Sequence, residues 1–295
     1  MSQPTQADVK TVTLPHGEIA YIERGSAASE LPPVVFVHGF LVDNSLWSAV
    51  ADLLAEQGIR SIAPTWPLGS HTTPMHRDAD FSPQGLANLI NNFLEALDLE
   101  DVTLVGSDTG GALCQFTIDS DHSRIGRLVL ANCDAFELFP PPEFAMVAKL
   151  GRNPLRLRAL MAAMAITPIR QTRGYGLVFA GTPDPALTRR WIEPALKSQA
   201  ICNDASKVLQ TMCPEATLDV AARFGSFRKP VYLVWGDSDA FFPVEVAQRL
   251  LAAFPHASLT TIPGGRTFVS MDHPATVADV IARATTRPTR LAEPS

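Results

Sequence analysis

The residues best placed to do chemistry stand at Gly106-Ser107-Asp108-Thr109-Gly110-Gly111, between an apolar run at 102–105 and a helical pattern that opens at Gly110. A strand that turns sharply into a helix lifts its central side chain above the sheet, and small residues two before and two after are needed because the backbone folds back on its neighbours. The central residue is Asp108. Its carboxylate meets the positive end of the following helix, and the N–H of Thr109 points to where a developing negative oxygen can be held. That is the setting of a nucleophile. The competing reading makes Asp108 a helix cap, with Gly106 and Gly110 serving only the turn.

Holding a side chain in that way requires a sheet, and the first third of the chain alternates short β-branched runs with helical patterns, as βαβ units do. Residues 34–37 predict a buried strand. Residues 45–57 carry Leu46, Val50, Leu53 and Leu54 at helical spacing, with Gly58 as a stop before a strand at 60–63. A Pro- and His-rich loop (64–83) leads to a helix at 84–99, a strand at 101–106, a helix at 110–119 and a strand at 127–132. From about Phe136 the pattern changes. Pro140-Pro141-Pro142 breaks regular structure, and helix-like pieces interrupted by Pro154, Pro168, Pro183 and Pro185 continue to Pro214 without a strand signal. This stretch, 137–214, holds ten Lys/Arg against five Asp/Glu and the remainder 14 against 25, so a basic insertion sits in an acidic chain. Strands at 230–235 and 258–262 and helices at 244–254 and 274–285 then resume the earlier alternation. The prediction is an α/β core in two parts, 1–136 and 215–295, with a helical cap at 137–214 between them.

His38-Gly39-Phe40 follows the strand at 34–37 and precedes Trp47. Taken with the elbow, the strand order and the cap, the chain resembles the α/β-hydrolase superfamily over about residues 34–283. The Asp-centred elbow is similar to the branch containing haloalkane dehalogenases and epoxide hydrolases, where a carboxylate attacks carbon and forms an alkyl-ester intermediate. The resemblance implies an α/β-hydrolase fold, with a mostly parallel central sheet flanked by helices and a helical cap inserted after the strand that follows the nucleophile helix. It also implies a second oxyanion donor from the backbone of Phe40 or Leu41, beside that of Thr109. The triad acid of the superfamily stands three residues after the Gly of Trp235-Gly236-Asp237-Ser238-Asp239, which selects Asp239; the alternative for Asp239 is an Asx turn into the helix at 244–254.

The same resemblance implies a histidine after the last strand, within Gly264-Gly265-Arg266-Thr267-Phe268-Val269-Ser270-Met271-Asp272-His273-Pro274. With Phe268, Asp272 and Pro274 aligned, Thr267 takes its place. A threonine hydroxyl has no pKa near neutrality and cannot take the proton of the water that hydrolyses the ester. His71 and His76 in the loop, His273, and His38 are the candidate substitutes. His16, His122 and His256 read as peripheral. Two further departures bear on substrate. The resembling dehalogenases hold the leaving halide with a Trp after the nucleophile and often an Asn in the oxyanion loop, where this chain has Thr109 and Phe40. Epoxide hydrolases use two cap tyrosines, and of Tyr21, Tyr175 and Tyr232 only Tyr175 lies in the cap.

Composition narrows the class. A net charge of −6 offers no basic field for nucleic acid, and no apolar run approaches the roughly 18 residues of a spanning helix. Residues 1–6 show no signal-peptide pattern, and Cys114, Cys133, Cys202 and Cys213 have no metal-ligand spacing, so a cytoplasmic protein with reduced thiols is expected. No cofactor and no metal is expected, and a homodimer is left open. Phe136, Phe139, Phe144, Met146, Met161, Met164 and Trp191 suit a small apolar substrate, while Arg156, Arg158, Arg170, Arg173, Arg189 and Arg190 either guide an anion or form a solvated face. Three functions fit: hydrolysis of an apolar epoxide, halide or ester through Asp108; isomerase or lyase chemistry with Asp108 as acid and base; and ligand binding by a chain that has lost its chemistry.

Overall fold

The computed structural model describes residues 8–286. The opening segment 1–6, read above for a signal peptide, lies outside them. Val34–Val37 (β3), Val102–Asp108 (β5) and Ile125–Cys133 (β6) are mainly apolar and, but for Asp108, buried throughout, as central parallel strands are. They belong to one eight-stranded sheet in the order β1-β2-β4-β3-β5-β6-β7-β8, completed by β1 (Lys10–Leu14), β2 (Gly17–Arg24), β4 (Ser61–Pro64), β7 (Val231–Gly236) and β8 (Ala257–Ile262). Only the β1–β2 and β2–β4 pairings are antiparallel. This is the α/β-hydrolase fold.

The sheet lies between helical layers. α1 (Ser48–Glu56) packs on the final helix, and α2 (Pro83–Ala96) packs on α3 (Thr109–Ser120), each through a stripe of buried aliphatic residues. Ser82 caps α2 by accepting from the Gly85 N–H at 3.1 Å. Between β6 and β7 the chain leaves the sheet for α4 (Pro142–Gly151), α5 (Pro154–Met164), the short turn α6 (Thr167–Ile169), an irregular helical stretch to Leu177, α7 (Pro185–Lys197), α8 (Gln199–Thr211) and α9 (Pro214–Ala221). Proline occupies the first turn of α4, α5, α7 and α9, where its missing N–H costs nothing, so the prolines that fragment this stretch also start its helices. α10 (Val244–Ala253), the single turn α11 (Val269–Asp272) and α12 (Pro274–Thr286) return to the core.

The helical excursion is fastened to the sheet by buried polar links. Ser70 Oγ donates to the Trp191 carbonyl at 2.7 Å, Thr211 Oγ1 to that of Phe81 at 2.9 Å, and Thr217 Oγ1 to that of Phe136 at 2.5 Å. Asp204 on α8 is 4% exposed; it accepts from the Met75 N–H at 3.0 Å and lies 3.4 Å from His71 Nε2. The Trp191 indole donates to Asp43 and Ser45, both at 3.0 Å, in the loop that follows β3.

Candidate active site

β5 ends at Asp108, whose backbone sits at φ 55°, ψ −136°. This is a strained conformation for a residue with a Cβ, and it faces the side chain away from the strand line. The turn closes only around glycine: a Cβ on Gly106 would stand 2.6 Å from the Gly110 carbonyl, and one on Gly110 would strike the Val37 and His38 carbonyls. Across from it, a Cβ on Gly39 would strike the Asp108 carboxylate itself. The loop after β3 is thereby brought close enough for the Phe40 N–H to donate to Asp108 Oδ2 at 3.1 Å, and the Thr109 N–H bonds the same carboxyl. Of the two loop donors expected, Leu41 is otherwise engaged: its N–H donates to the Leu68 carbonyl at 2.9 Å. Burial pushes the Asp108 carboxyl up to about 7 against the pull of the Thr109 and Phe40 amides, and the nearby Asp239 adds to the rise.

Asp239 is held at the end of β7. It accepts from Asn132 Nδ2 at 2.8 Å, the Phe241 N–H at 2.9 Å and Thr267 Oγ1 at 3.0 Å. Asn132 also takes the Gly236 N–H at 2.7 Å, which pins the turn to β6. Burial raises the Asp239 carboxyl to about 6 despite these donors. Thr267 is fully buried and its hydroxyl is spent on Asp239. The loop carrying it is docked onto the helical excursion, with the Phe268 N–H on the Val178 carbonyl at 3.0 Å and Asp272 Oδ2 on the Ala180 N–H at 2.7 Å.

The four histidines considered as substitutes lie elsewhere. His38 is buried with Nδ1 on the Gly39 carbonyl at 2.9 Å and Nε2 accepting from the Trp66 N–H at 2.8 Å; burial lowers it to about 4, so it is a neutral strut of the loop. His71 is engaged with Asp204 and the Gly69 N–H. His76 is exposed, His273 stands at the end of α11, and none of the four lines the pocket above Asp108.

That pocket has a volume of about 300 Å³. Phe40, Phe144, Met161, Met164, Phe241 and Phe268 are among its walls, and Asp108, Thr109 and Asp134 supply polar atoms. Of the other cap residues expected to enclose a substrate, Phe136, Phe139 and Trp191 are buried away from it and Met146 is 68% exposed. Tyr175 lines the pocket, but its hydroxyl donates to the Leu41 carbonyl, and burial raises its pKa further. Among the arginines, Arg173 alone reaches the lining, from an exposed position; Arg170 is buried against Thr188 and the carbonyls of Met164, Ala165 and Pro185, and Arg190 pairs with Asp43.

Asp134 follows β6 and was not singled out from the sequence, because it belongs to no spaced motif. The register that sets Asp108 beside Cys133 delivers it: its N–H lies 3.4 Å from the Asp108 carbonyl, and Gln115 Nε2 holds its own carbonyl at 2.8 Å. The side chain is 2% exposed, one oxygen taking the Thr109 hydroxyl and Oδ1 having no partner among the described residues. Burial, with the Asp108 charge second, holds this carboxyl well above the usual range.

Comparison with known proteins agrees with this architecture. A family model described as the alpha/beta hydrolase fold matches residues 32–274. Haloalkane dehalogenase 2 of Mycobacterium tuberculosis is 25% identical over 283 residues, covering 90% of each chain. A 2-hydroxy-6-oxononadienedioate/2-hydroxy-6-oxononatrienedioate hydrolase of Dechloromonas aromatica is 24% identical over 265 residues, covering 86% of each. The crystal structure of a haloalkane dehalogenase from Bradyrhizobium elkani superposes with a TM-score of 0.75 at 17% identity, over 95% of this chain and 99% of that one.

Proposed function

The chain belongs to the alpha/beta hydrolase fold family, and from that membership we propose that it is a hydrolase whose nucleophile is the Asp108 carboxylate, acting on a small apolar electrophile through a covalent ester. The observation that carries this reading is the pairing of a strained elbow carboxylate, held by the Phe40 and Thr109 N–H groups, with an apolar pocket opening directly onto it. Those two amides orient the carboxylate for attack and afterwards polarise the ester carbonyl, which is the oxyanion-hole function. A helix cap alone would need neither the loop donor from Phe40 nor the cavity. The likeness to proteins named haloalkane dehalogenase and hydrolase supports the same class.

Thr267 marks where the chemistry departs from a complete triad. It occupies the hydrogen-bonding place on Asp239 that an imidazole would need, and its hydroxyl is no base. That observation favours a second reading, a protein that binds and is alkylated but does not turn over. Intact-mass measurement after exposure to primary alkyl halides and terminal epoxides separates these readings. The expected result is one added alkyl or hydroxyalkyl group that maps to Asp108 and is absent from Asp108→Ala, followed by release of product in steady turnover. Accumulation of a permanent stoichiometric adduct selects the second reading. No adduct and no turnover across the panel overturns both.

A further inference from the structure

We propose that Asp134 is a second catalytic carboxyl, which gives its proton to the oxygen of a strained cyclic ether opened by Asp108 and then takes the proton of the water that cleaves the resulting ester. The proposal rests on Asp108 being the nucleophile, and it narrows the substrate class to apolar epoxides.

Geometry supplies the argument. Asp108 and Asp134 leave the carboxyl ends of adjacent strands and line one pocket, and Asp134 Oδ1 is closed to solvent with no partner among the described residues. The Asp108 charge raises the buried Asp134 carboxyl beside it, which opposes ionisation of both. Asp108 has two backbone N–H donors and the start of α3 to hold a charge, whereas Asp134 has one hydroxyl and a bare oxygen. The charge therefore rests on Asp108 and the proton on Asp134, in line with the upward displacement of the Asp134 carboxyl. Of the other groups able to transfer a proton, Tyr175 donates to Leu41 and Thr267 to Asp239, no histidine lines the pocket, and Glu143 reaches the lining from an exposed position on α4.

The steps balance. An Asp108 carboxylate oxygen bonds to a ring carbon, the ring C–O bond breaks, and its oxygen takes the Asp134 proton, giving a hydroxyalkyl ester and an Asp134 carboxylate. Water then adds to the ester carbon as Asp134 takes its proton, with the oxyanion held by the Phe40 and Thr109 N–H groups. The bond from that carbon to the alkyl oxygen breaks, and this oxygen takes the proton of the newly added hydroxyl. A vicinal diol leaves, and the pair is restored with its one proton on Asp134. Loss of halide needs no proton and leaves Asp134 in its acid form; once the ester has removed the Asp108 charge, Asp134 gives that proton to solvent and then serves as the base of the second half.

Asp134→Asn tests this with the whole protein, using a terminal epoxide and a primary alkyl bromide. Expected with the epoxide is a loss of Asp108 alkylation of at least about 100-fold, the size of a missing general acid. Expected with the bromide is alkylation within a few-fold of wild type, which also shows a folded pocket, followed by an ester that persists at least about 100-fold longer. Turnover of either compound within threefold of wild type overturns the role of Asp134 while leaving the Asp108 label in place. Absence of any label in wild type overturns the nucleophile and this proposal with it. The wild-type pH dependence gives a check that needs no variant: epoxide alkylation should fall again at alkaline pH and bromide alkylation should not. The same profile for both compounds overturns the proposal.

Discussion

At the scale of single residues, the Asp108 carboxyl decides when the site is reactive. With burial raising it to about 7, the anion that the proposed attack requires is the minor form below that pH. Alkylation by a primary bromide, whose departure needs no acid, is expected to rise about tenfold per pH unit between 5 and 6.5 and to level off by about pH 8. A rate already flat at pH 5 would mean that the carboxyl is not raised. Gly39 gives a second test, because a Cβ there would take the space of Asp108 Oδ2. The carboxylate can swing, but Asp108 Cβ would stand 2.6 Å from the new methyl and cannot, so Gly39→Ala is expected to push the loop after β3 off the elbow, with a loss of alkylation on the order of 100-fold and a lowered melting temperature. At Thr267, an imidazole would stand against the same Asp239 that now accepts the hydroxyl. Thr267→His in an Asp134→Asn background is therefore expected to shorten the lifetime of the Asp108 ester, read by mass spectrometry. An unchanged lifetime would show that a base at that position cannot reach the ester.

Among the elements, what was legible in the sequence follows the strength of each pattern. The buried strands read at 34–37, 101–106 and 230–235 stand at Val34–Val37, Val102–Asp108 and Val231–Gly236, because a doubly covered strand has to be continuously apolar. The hairpin of β1 and β2 was not read. β1 is mostly exposed and five residues long, so the alternation of Thr11 and Thr13 with Val12 and Leu14 is too short to stand out. Asp134 was invisible for a different reason, since its neighbour Asp108 is 26 residues away and only the parallel pairing of β5 with β6 brings them together. His71 shows the same limit from the other side: a histidine in a loop facing the cap reads as a base, yet the fold uses it with Asp204 to bind α8 to the core. Asp204→Ala would leave the Met75 N–H and His71 without their acceptor in a buried interface. A cost of about 1–3 kcal/mol follows, expected as a melting temperature lowered by several degrees and faster proteolysis of the loop around Met75. The pH midpoint of Asp108 alkylation should not move, and a shift in it would show that this link also tunes the site.

For the molecule as a whole, three carboxyls buried under one pocket without a cation among their hydrogen-bond partners oppose folding at neutral pH. Asp108 and Asp239 stand at about 7 and about 6 in the native state against 3.8 as the ordinary value, and Asp134 is higher than usual as well. The native protein therefore binds more protons than the unfolded chain from about pH 4 upward, so its stability falls as pH rises, most steeply up to pH 7, and goes on falling until Asp134 ionises. Ion-paired carboxylates act in the opposite sense: Glu23, despite its burial, and exposed Glu137 are lowered by their Lys and Arg partners, and that contribution is lost in acid. The balance places maximum stability near pH 5 to 6. Water in the pocket reduces the penalty on the partly exposed Asp108, so the expected gain in unfolding free energy from pH 8 to pH 5.5 is about 2–4 kcal/mol. Urea unfolding at the two pH values measures it, and Asp108→Asn should raise stability at pH 8 while flattening the slope. Equal stability at both, in wild type and variant alike, would mean that the three carboxyls are not desolvated and that the pocket is wet. On the proposed mechanism, the burial that keeps Asp108 reactive is the burial that costs the protein stability, and it also lets the proton on Asp134 persist.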